Sequence, residues 1–346
     1  MIIIGCDFHP VFQQVVVMDT ETGEVTEHKL MHADGEAEQF YRQFSCPALI
    51  GVEAVGNSQW FLDLAERLGH EVWVGDPAQI RAGYVRKQKT DRRDAEHILK
   101  LLLEGRFPRV WVPGAELRDL RQLVLHRHRV VEMRVRVKTE LQHLALNQGV
   151  QQKQKLWNKQ GRSTLEKLAL GTWASQRRAH LLQLLDVLHD QSLLLDRAVE
   201  DAAQAHPPAR LLMTQPGVGP NTALAYALTI GDTKRFPRGK QVASYLGLVP
   251  RERGSGGKQR FGSISKQGNP LLRTLLVECA TIAVRLDPSF RKEYLHHRHK
   301  KHSGVAKVAI ARKLAVRLYW MLRTQKPYPQ ILHIEGSPPH SLVSIS

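Results

Sequence analysis

Asp91 and Asp94 stand three residues apart in Lys89-Thr90-Asp91-Arg92-Arg93-Asp94-Ala95-Glu96, a stretch otherwise rich in arginine and lysine. On a helix that spacing puts both carboxylates on one face. Two further acids, Asp7 and Glu53, close the short apolar runs Ile2 to Cys6 and Ala48 to Val52, and strand ends in α/β sheets are where functional side chains gather. Four carboxylates converging from two strands and one helix would repel one another strongly unless a cation sat among them. Ligation by oxygen alone selects a hard ion, Mg²⁺ or Mn²⁺. Such an ion activates an attacking oxygen and stabilises a leaving one in phosphodiester chemistry. Lys87, Lys89, Arg92 and Arg93 would then face phosphates. Each acid alone also has a plainer reading: Asp7 and Glu53 as turn residues, Asp91 as an acid at the positive end of a helix dipole.

A second constellation lies in residues 245–276. Ser255 sits between Gly254 and Gly256-Gly257, in a loop that carries Arg251, Arg253, Lys258 and Arg260. Glycines permit close backbone approach, and the cations could hold a phosphate in line with a hydroxyl; the plainer reading is a flexible turn. Ser263 and Ser265, followed by Lys266 and Gly268, are rival hydroxyls in the same loop. His296, His297, His299 and His302 lack a carboxylate or thiol at metal-binding spacing and read as phosphate-contacting surface.

These groups need elements to hold them. Ile2 to Cys6, Gln14 to Met18 and Glu24 to Met31 read as three strands, with Glu21-Thr22-Gly23 as a hairpin turn. Ala48 to Val52 and Glu71 to Val74 read as further strands around an amphipathic helix over 58–68, so a mixed sheet flanked by helices is expected. Thr90 is a good N-cap for a helix from Asp91 to Leu103. Apolar residues recurring at three and four over 116–146, and leucines over 181–199, predict long helices, read as a coiled-coil segment. Its bland role is a spacer with a basic face; dimerisation or nucleic-acid holding is the alternative. After Pro207-Pro208, the run Pro216-Gly217-Val218-Gly219 between two helical stretches has the helix-hairpin-helix pattern, in which Gly217 and Gly219 leave backbone amides able to meet a DNA phosphate. The expected organisation is an α/β domain over 1–108, a helical segment over 109–206, a mainly α domain over 207–330 and a tail over 331–346.

The net charge of +17 favours a polyanionic partner. Its distribution is uneven: residues 1–80 hold 3 Lys and Arg against 13 Asp and Glu, whereas residues 81–180 hold 23 against 9. The basic character thus begins just before the paired aspartates. No run approaches the length of a membrane span, and the apolar start lacks a charged leader, so a cytoplasmic protein is expected. Cys6, Cys46 and Cys279 form no CxxC pair and are expected to be buried; Trp60 and Trp73 read as core.

The order of five stretches, "IGCDFHP" at 4–10, "GVEAVGNSQWFLDLAERLGHEVWVGDP" at 51–77, "KTDRRDAEHIL" at 89–99, "PGVGPNTALAYALTIGD" at 216–232 and "YLGLVPRERGSGGKQRFGSISKQGNPLLRTLL" at 245–276, resembles the DEDD-type insertion-sequence transposases. This is the insertion-sequence one-hundred-ten family, related to the Piv DNA invertases. The resemblance implies a ribonuclease-H-like fold, like that of the junction resolvase RuvC, with Asp7, Glu53, Asp91 and Asp94 as the metal-binding tetrad. It implies Ser255 as a nucleophile that forms a 5′-phosphoserine intermediate, and a structured bridge RNA that pairs with donor and target DNA. It further implies a composite active site in a dimer or tetramer, in a bacterial or archaeal cell, associated with the nucleoid. One departure is Ala54-Val55-Gly56 after Glu53, where a Thr or Ser is expected before the glycine.

Three other functions compete. A metal-dependent Holliday-junction resolvase or nuclease on the same fold would use water in place of serine. An actin-like ATPase would require a second glycine-rich phosphate loop, which the sequence lacks. A purely architectural nucleic-acid-binding protein would follow if the carboxylates did not converge.

Overall fold

The structure, a computed structural model, describes residues 1–83, 90–151, 155–255, 258–328 and 330–332, with the side chains of residues 253–261 outside the description. The chain divides into two compact units, Met1–Pro113 and Gly114–Ser346.

The first unit is built on five strands: β1 (Ile2–Phe8), β2 (Phe12–Asp19), β3 (Val25–Met31), β4 (Leu49–Glu53) and β5 (Glu71–Gly75). Their order in the sheet is β3-β2-β1-β4-β5. β1, β2 and β3 form an antiparallel meander, whereas β4 pairs parallel to both β1 and β5. Four helices complete the unit: α1 (Glu36–Arg42), α2 (Gln59–Arg67), α3 (Pro77–Ala82) and α4 (Asp91–Leu103). The mixed α/β character expected from the sequence is what forms.

Alternation along the strands separates two cores. Ile4, Cys6 and Phe8 of β1, with Ile50 and Val52 of β4, pack with Phe40, Tyr41 and Phe61. Ile3 belongs to the other face, where Ala95, Ile98, Leu99 and Leu102 of α4 pack. Here α4 comes unusually close. A Cβ placed on Gly5 would lie 2.2 Å from the Ala95 carbonyl oxygen and 2.5 Å from the Leu99 nitrogen. Glycine at position 5 is therefore what lets the helix backbone rest directly on β1.

The second unit is mainly helical. α5 (Ala115–Asn147) and α7 (Thr172–Ala205) flank the short α6 (Lys159–Glu166). The two long helices run antiparallel, as the pairs Arg127–Asp196 and Arg177–Glu140, each 2.8 Å apart, require. Val130, Val137, Leu141 and Leu144 pack with Leu182, Leu185 and Leu188 between them. α7 begins nine residues before the leucine-rich run suggests, capped by Gly171. α8 (Pro207–Met213), α9 (Pro220–Ile230), α10 (Gly239–Tyr245), α11 (Pro270–Leu286), α12 (Pro288–Lys300) and α13 (Ser303–Thr324) surround a large apolar core. In this core Asp287 and Arg317 form an ion pair at 2.6 Å, with side chains 1% and 4% exposed.

Several expectations are corrected. Residues 245–276 are not one basic loop. They contain a two-stranded antiparallel sheet of β6 (Pro250–Ser255) and β7 (Lys258–Ile264), whose backbone register runs from Pro250 opposite Ile264 to Ser255 opposite Lys258. The arginines and glycines hide the alternation by which strands are read, yet the ladder satisfies their backbone groups. Trp60 is not fully core: it is 42% exposed, with its ring against Phe8, His32 and Phe61. Cys46 is exposed, whereas Cys6 and Cys279 are buried.

Candidate active site

Asp7 and Glu53 reach one place because β1 and β4 are parallel and in register. The last paired residues are Cys6 and Val52, so Asp7 and Glu53 are the next residue on each strand. Period two puts Asp7 on the face of Ile3 and Gly5, and Glu53 on the face of Leu49 and Gly51, the side covered by α4. α4 itself starts at this strand end. Thr90 caps it, its hydroxyl accepting from the Arg93 amide at 3.4 Å. That start fixes Asp91 and Asp94 in the first turn.

The structure brings Asp7 and Asp91 together, with Asp94 outside that group but near enough for its charge to act on Asp7. Burial pushes the Asp7 carboxyl above the usual carboxylate range; His9 pulls it back, and the charges of Asp94 and Asp91 raise it further. Asp94 is itself buried. Asp91 is half exposed and approaches from the solvent side: its Oδ1 lies 3.5 Å from His9 Nε2, which is 3.1 Å from Asp7 Oδ2. Among the described residues, one ligand atom each from Asp7, His9 and Asp91 lies within 4.8 Å of the others. Glu53 stands outside that trio, engaged by Arg81 of α3 at 3.3 Å.

His9 was not among the candidate residues. The signal was available in its position two residues after Asp7, the spacing that returns a strand to the same face. A ring nitrogen, a partly buried carboxylate and a more exposed one that repel each other are a donor set suited to a divalent cation.

The basic residues around this site are variously engaged. Arg92 is not free to face phosphate in this state, since its Nε lies 2.9 Å from Glu96 and 3.1 Å from Glu27 of β3. Arg93 is exposed. Lys87 and Lys89 lie outside the described residues.

In the second unit, the backbone places Ser255 at the end of β6. The side chains of Ser255, Arg253, Lys258 and Arg260 lie outside the described residues. The base of this hairpin is tightly built. Gly247 and Gly268 have φ of 67° and 76°, and a Cβ on Gly268 would lie 2.0 Å from the Tyr245 carbonyl oxygen. Arg273 donates to the carbonyls of Leu246, Gln267 and Gly268 at 3.3, 2.7 and 3.2 Å. Arg251 reaches across to the Ser265 carbonyl at 3.2 Å, and Lys266, exposed, adopts φ 57°. Ser263 is exposed, whereas the Ser265 hydroxyl is buried.

The turn between α8 and α9 is closely packed on one side. Gly217 has φ 89°, and a Cβ there would meet the Ala283 nitrogen of α11 at 2.8 Å. The Val218 amide donates to Gln215 O at 3.0 Å, and the buried Cys279 thiol donates to the Thr222 hydroxyl at 3.1 Å. The histidine-rich stretch ends α12, and His302 Nδ1 accepts from the Gly304 amide at 3.2 Å, capping α13.

Sequence comparison identifies this arrangement. A model of DEDD transposases of the IS110 type matches residues 4–148. A second, the "Transposase IS116/IS110/IS902 family", matches residues 209–295. A "Probable family 20 transposase" of Pseudomonas aeruginosa is 31% identical over 337 residues, which cover 93% of this chain and 97% of that protein. The chain belongs to the IS110 family of transposases. Like the family, it is an enzyme of DNA transposition. The "Transposase for insertion sequence element IS1111A" of Coxiella burnetii is 28% identical over 80% of this chain and 78% of its own length. The "Pilin gene-inverting protein" of Moraxella lacunata is 32% identical over 129 residues, 36% of this chain and 40% of its own. Membership of the DEDD transposases points to use of a divalent metal, and Asp7, His9 and Asp91 form a cluster with the spacing to hold one among the described residues. No helix among the described residues is long and apolar enough to cross a membrane.

Proposed function

We propose that this transposase cuts and rejoins DNA with two sets of groups, a metal-binding tetrad of Asp7, Glu53, Asp91 and Asp94 in a ribonuclease-H-like unit and a nucleophilic Ser255 in the second unit. The observation that carries the first half is the meeting of Asp7 with Asp91 at one strand end, beside the first turn of α4 that holds Asp94, where burial and like charge disfavour ionised Asp7. Mg²⁺ or Mn²⁺ held there would offset that repulsion and polarise a phosphodiester. Glu53, paired with Arg81 here, would be the fourth acid to hold the ion. Support for the second half comes from the hairpin that carries Ser255, whose base is fixed by Gly247, Gly268 and Arg273.

In the reaction, the Ser255 oxygen forms a bond to phosphorus as the bond from phosphorus to the 3′ oxygen breaks. The serine proton is lost, the 3′ oxygen takes one up, and a 5′-phosphoserine results. Attack by another 3′ hydroxyl reverses the step and joins the new strand. Arg251, Arg253, Lys258, Arg260 and Lys266 hold the DNA backbone beside the serine, and Arg93, Lys87 and Lys89 hold it beside the tetrad, joined by Arg92 once it leaves Glu27 and Glu96. The turn carrying Gly217 and Gly219 acts as a helix-hairpin-helix on the backbone of DNA. A bridge RNA reads donor and target by base pairing, and the antiparallel pair α5 and α7, as a coiled coil, helps assemble a dimer or tetramer.

A suicide DNA substrate that traps covalent protein tests this reading. Ser255→Ala is expected to abolish the adduct, and Asp91→Asn to abolish cleavage. An undiminished adduct in Ser255→Ala moves the nucleophile to another residue; cleavage with no adduct in the native protein leaves a water-using resolvase. A discrete RNA co-purifying with the protein is the expected sign of the guide.

A further inference from the structure

His9 lies between two carboxylates that belong to different elements. Its Nε2 is 3.1 Å from Asp7 Oδ2 at the end of β1 and 3.5 Å from Asp91 Oδ1 at the start of α4. We propose that His9 Nε2 is itself a ligand of the divalent ion, making this a mixed nitrogen and oxygen site that prefers Mn²⁺ to Mg²⁺. The proposal rests on the reading of Asp7 and Asp91 as ligands.

The separations fit shared coordination. Two ligands about 2.1 Å from one ion lie roughly 3.0 Å apart at octahedral right angles and roughly 3.4 Å apart at tetrahedral angles. The spacings around His9 are of this size, and the third member of the trio is also within 4.8 Å. The imidazole is held for the task. Its ring stacks on Phe12, centroids 4.6 Å apart and planes 24° from parallel. Its backbone amide donates to Phe12 O at 2.9 Å. The ring is thus anchored by the β1–β2 turn, independently of the acids.

Coordination through Nε2 requires the proton on Nδ1. Imidazole nitrogen suits transition metals, whereas Mg²⁺ keeps oxygen ligands and water. One histidine among carboxylates therefore tilts the site toward Mn²⁺ without excluding Mg²⁺. The competing role for His9 is an imidazolium that clamps Asp7 to Asp91 by hydrogen bonds, and it makes different predictions: a clamp leaves no nitrogen on the metal and no preference between ions.

The full-length protein loaded with Mn²⁺ alone, read by pulsed electron paramagnetic resonance, decides between them. Directly bound ¹⁴N should modulate the native echo, and the modulation should vanish in His9→Ala. By calorimetry, His9→Ala should weaken Mn²⁺ about tenfold or more, the scale of losing a group that tunes a metal site, and Mg²⁺ by much less. His9→Gln, which keeps a polar side chain in the same turn, should match His9→Ala in the echo, and thermal unfolding of both should confirm that they fold. Absence of ¹⁴N coupling in the native complex, its persistence in His9→Ala, or equal losses for the two ions would overturn the proposal. Asp91→Asn separates the underlying reading: it should abolish binding of either ion. A native chain that binds neither, with Asp91→Asn indistinguishable from it, sinks the tetrad together with His9.

Discussion

Replacing Gly5 by alanine tests whether the contact between β1 and α4 sets the site. The new Cβ would stand 2.2 Å from the Ala95 carbonyl oxygen, where ordinary contact begins at 3.4 Å. The partners are backbone atoms of a helix, so no side-chain rotation relieves the clash. α4 must retreat by roughly 1.2 Å along that line, at an overpacking cost of about 1–3 kcal/mol. Asp94 adjoins Ala95 and moves with it, while Asp7 stays with its strand. A displacement on the order of 1 Å at reacting groups costs about a hundredfold in rate. Single-turnover cleavage of a suicide substrate should therefore fall about a hundredfold, alongside a modest drop in melting temperature. Gly51→Ala is the matched control. Its Cβ would meet Leu102 Cδ1 at 2.7 Å and Ile98 Cγ2 at 2.9 Å, side-chain atoms rather than helix backbone, of which the Leu102 methyl can turn away and the Ile98 branch needs only a small shift, so its rate should fall by less than about tenfold. Gly5→Ala cleaving within about threefold of the native rate while folded would refute the reasoning, because the acids would then not depend on where α4 rests.

Other outcomes follow from the second unit. Arg317→Met strands the buried Asp287 carboxylate, and denaturant unfolding should show a loss of about 3–5 kcal/mol at neutral pH. Burial alone would raise the Asp287 pKa, but Ser289 and Arg317 together hold it below the usual range. The stability it contributes is thus complete above the unfolded carboxylate pKa and lost as pH falls through the lower folded one; a flatter acid limb in Arg317→Met would be the confirming observation. Gly268→Ala combines a left-handed φ with a clash against the Tyr245 carbonyl, so covalent adduct should drop by more than about tenfold while Mn²⁺ binding in the first unit is unchanged. Arg251→Ala removes one proposed phosphate contact and should reduce the salt slope of DNA binding by about 1, measured by titration in increasing salt.

Much of the site was legible in the sequence because it depends on local rules. Thr90 caps α4 as a hydroxyl before a helix start should, and Asp91 and Asp94 share a helix face by spacing alone. The strands ending at or near Asp7 and Glu53 are apolar runs whose identity needs no partner. Hidden from the sequence were contacts whose partners are distant along the chain. The β6–β7 ladder was obscured because arginines and glycines carry no alternation, and its pairing is a backbone matter. The close packing of Gly217 was obscured because its neighbour, Ala283, lies far along the chain.

By itself, then, the sequence determined the acids, their phase on strand and helix, the basic stretch beside them and the family to which the chain belongs. Only the tertiary structure decided that His9 stands between Asp7 and Asp91, that Arg81 pairs with Glu53, and that Arg92 is occupied by Glu27 and Glu96. The reason is physical: phase within an element follows from its own covalent geometry, whereas the distance between elements follows from packing. At Gly5 that distance is set by the absence of a single Cβ.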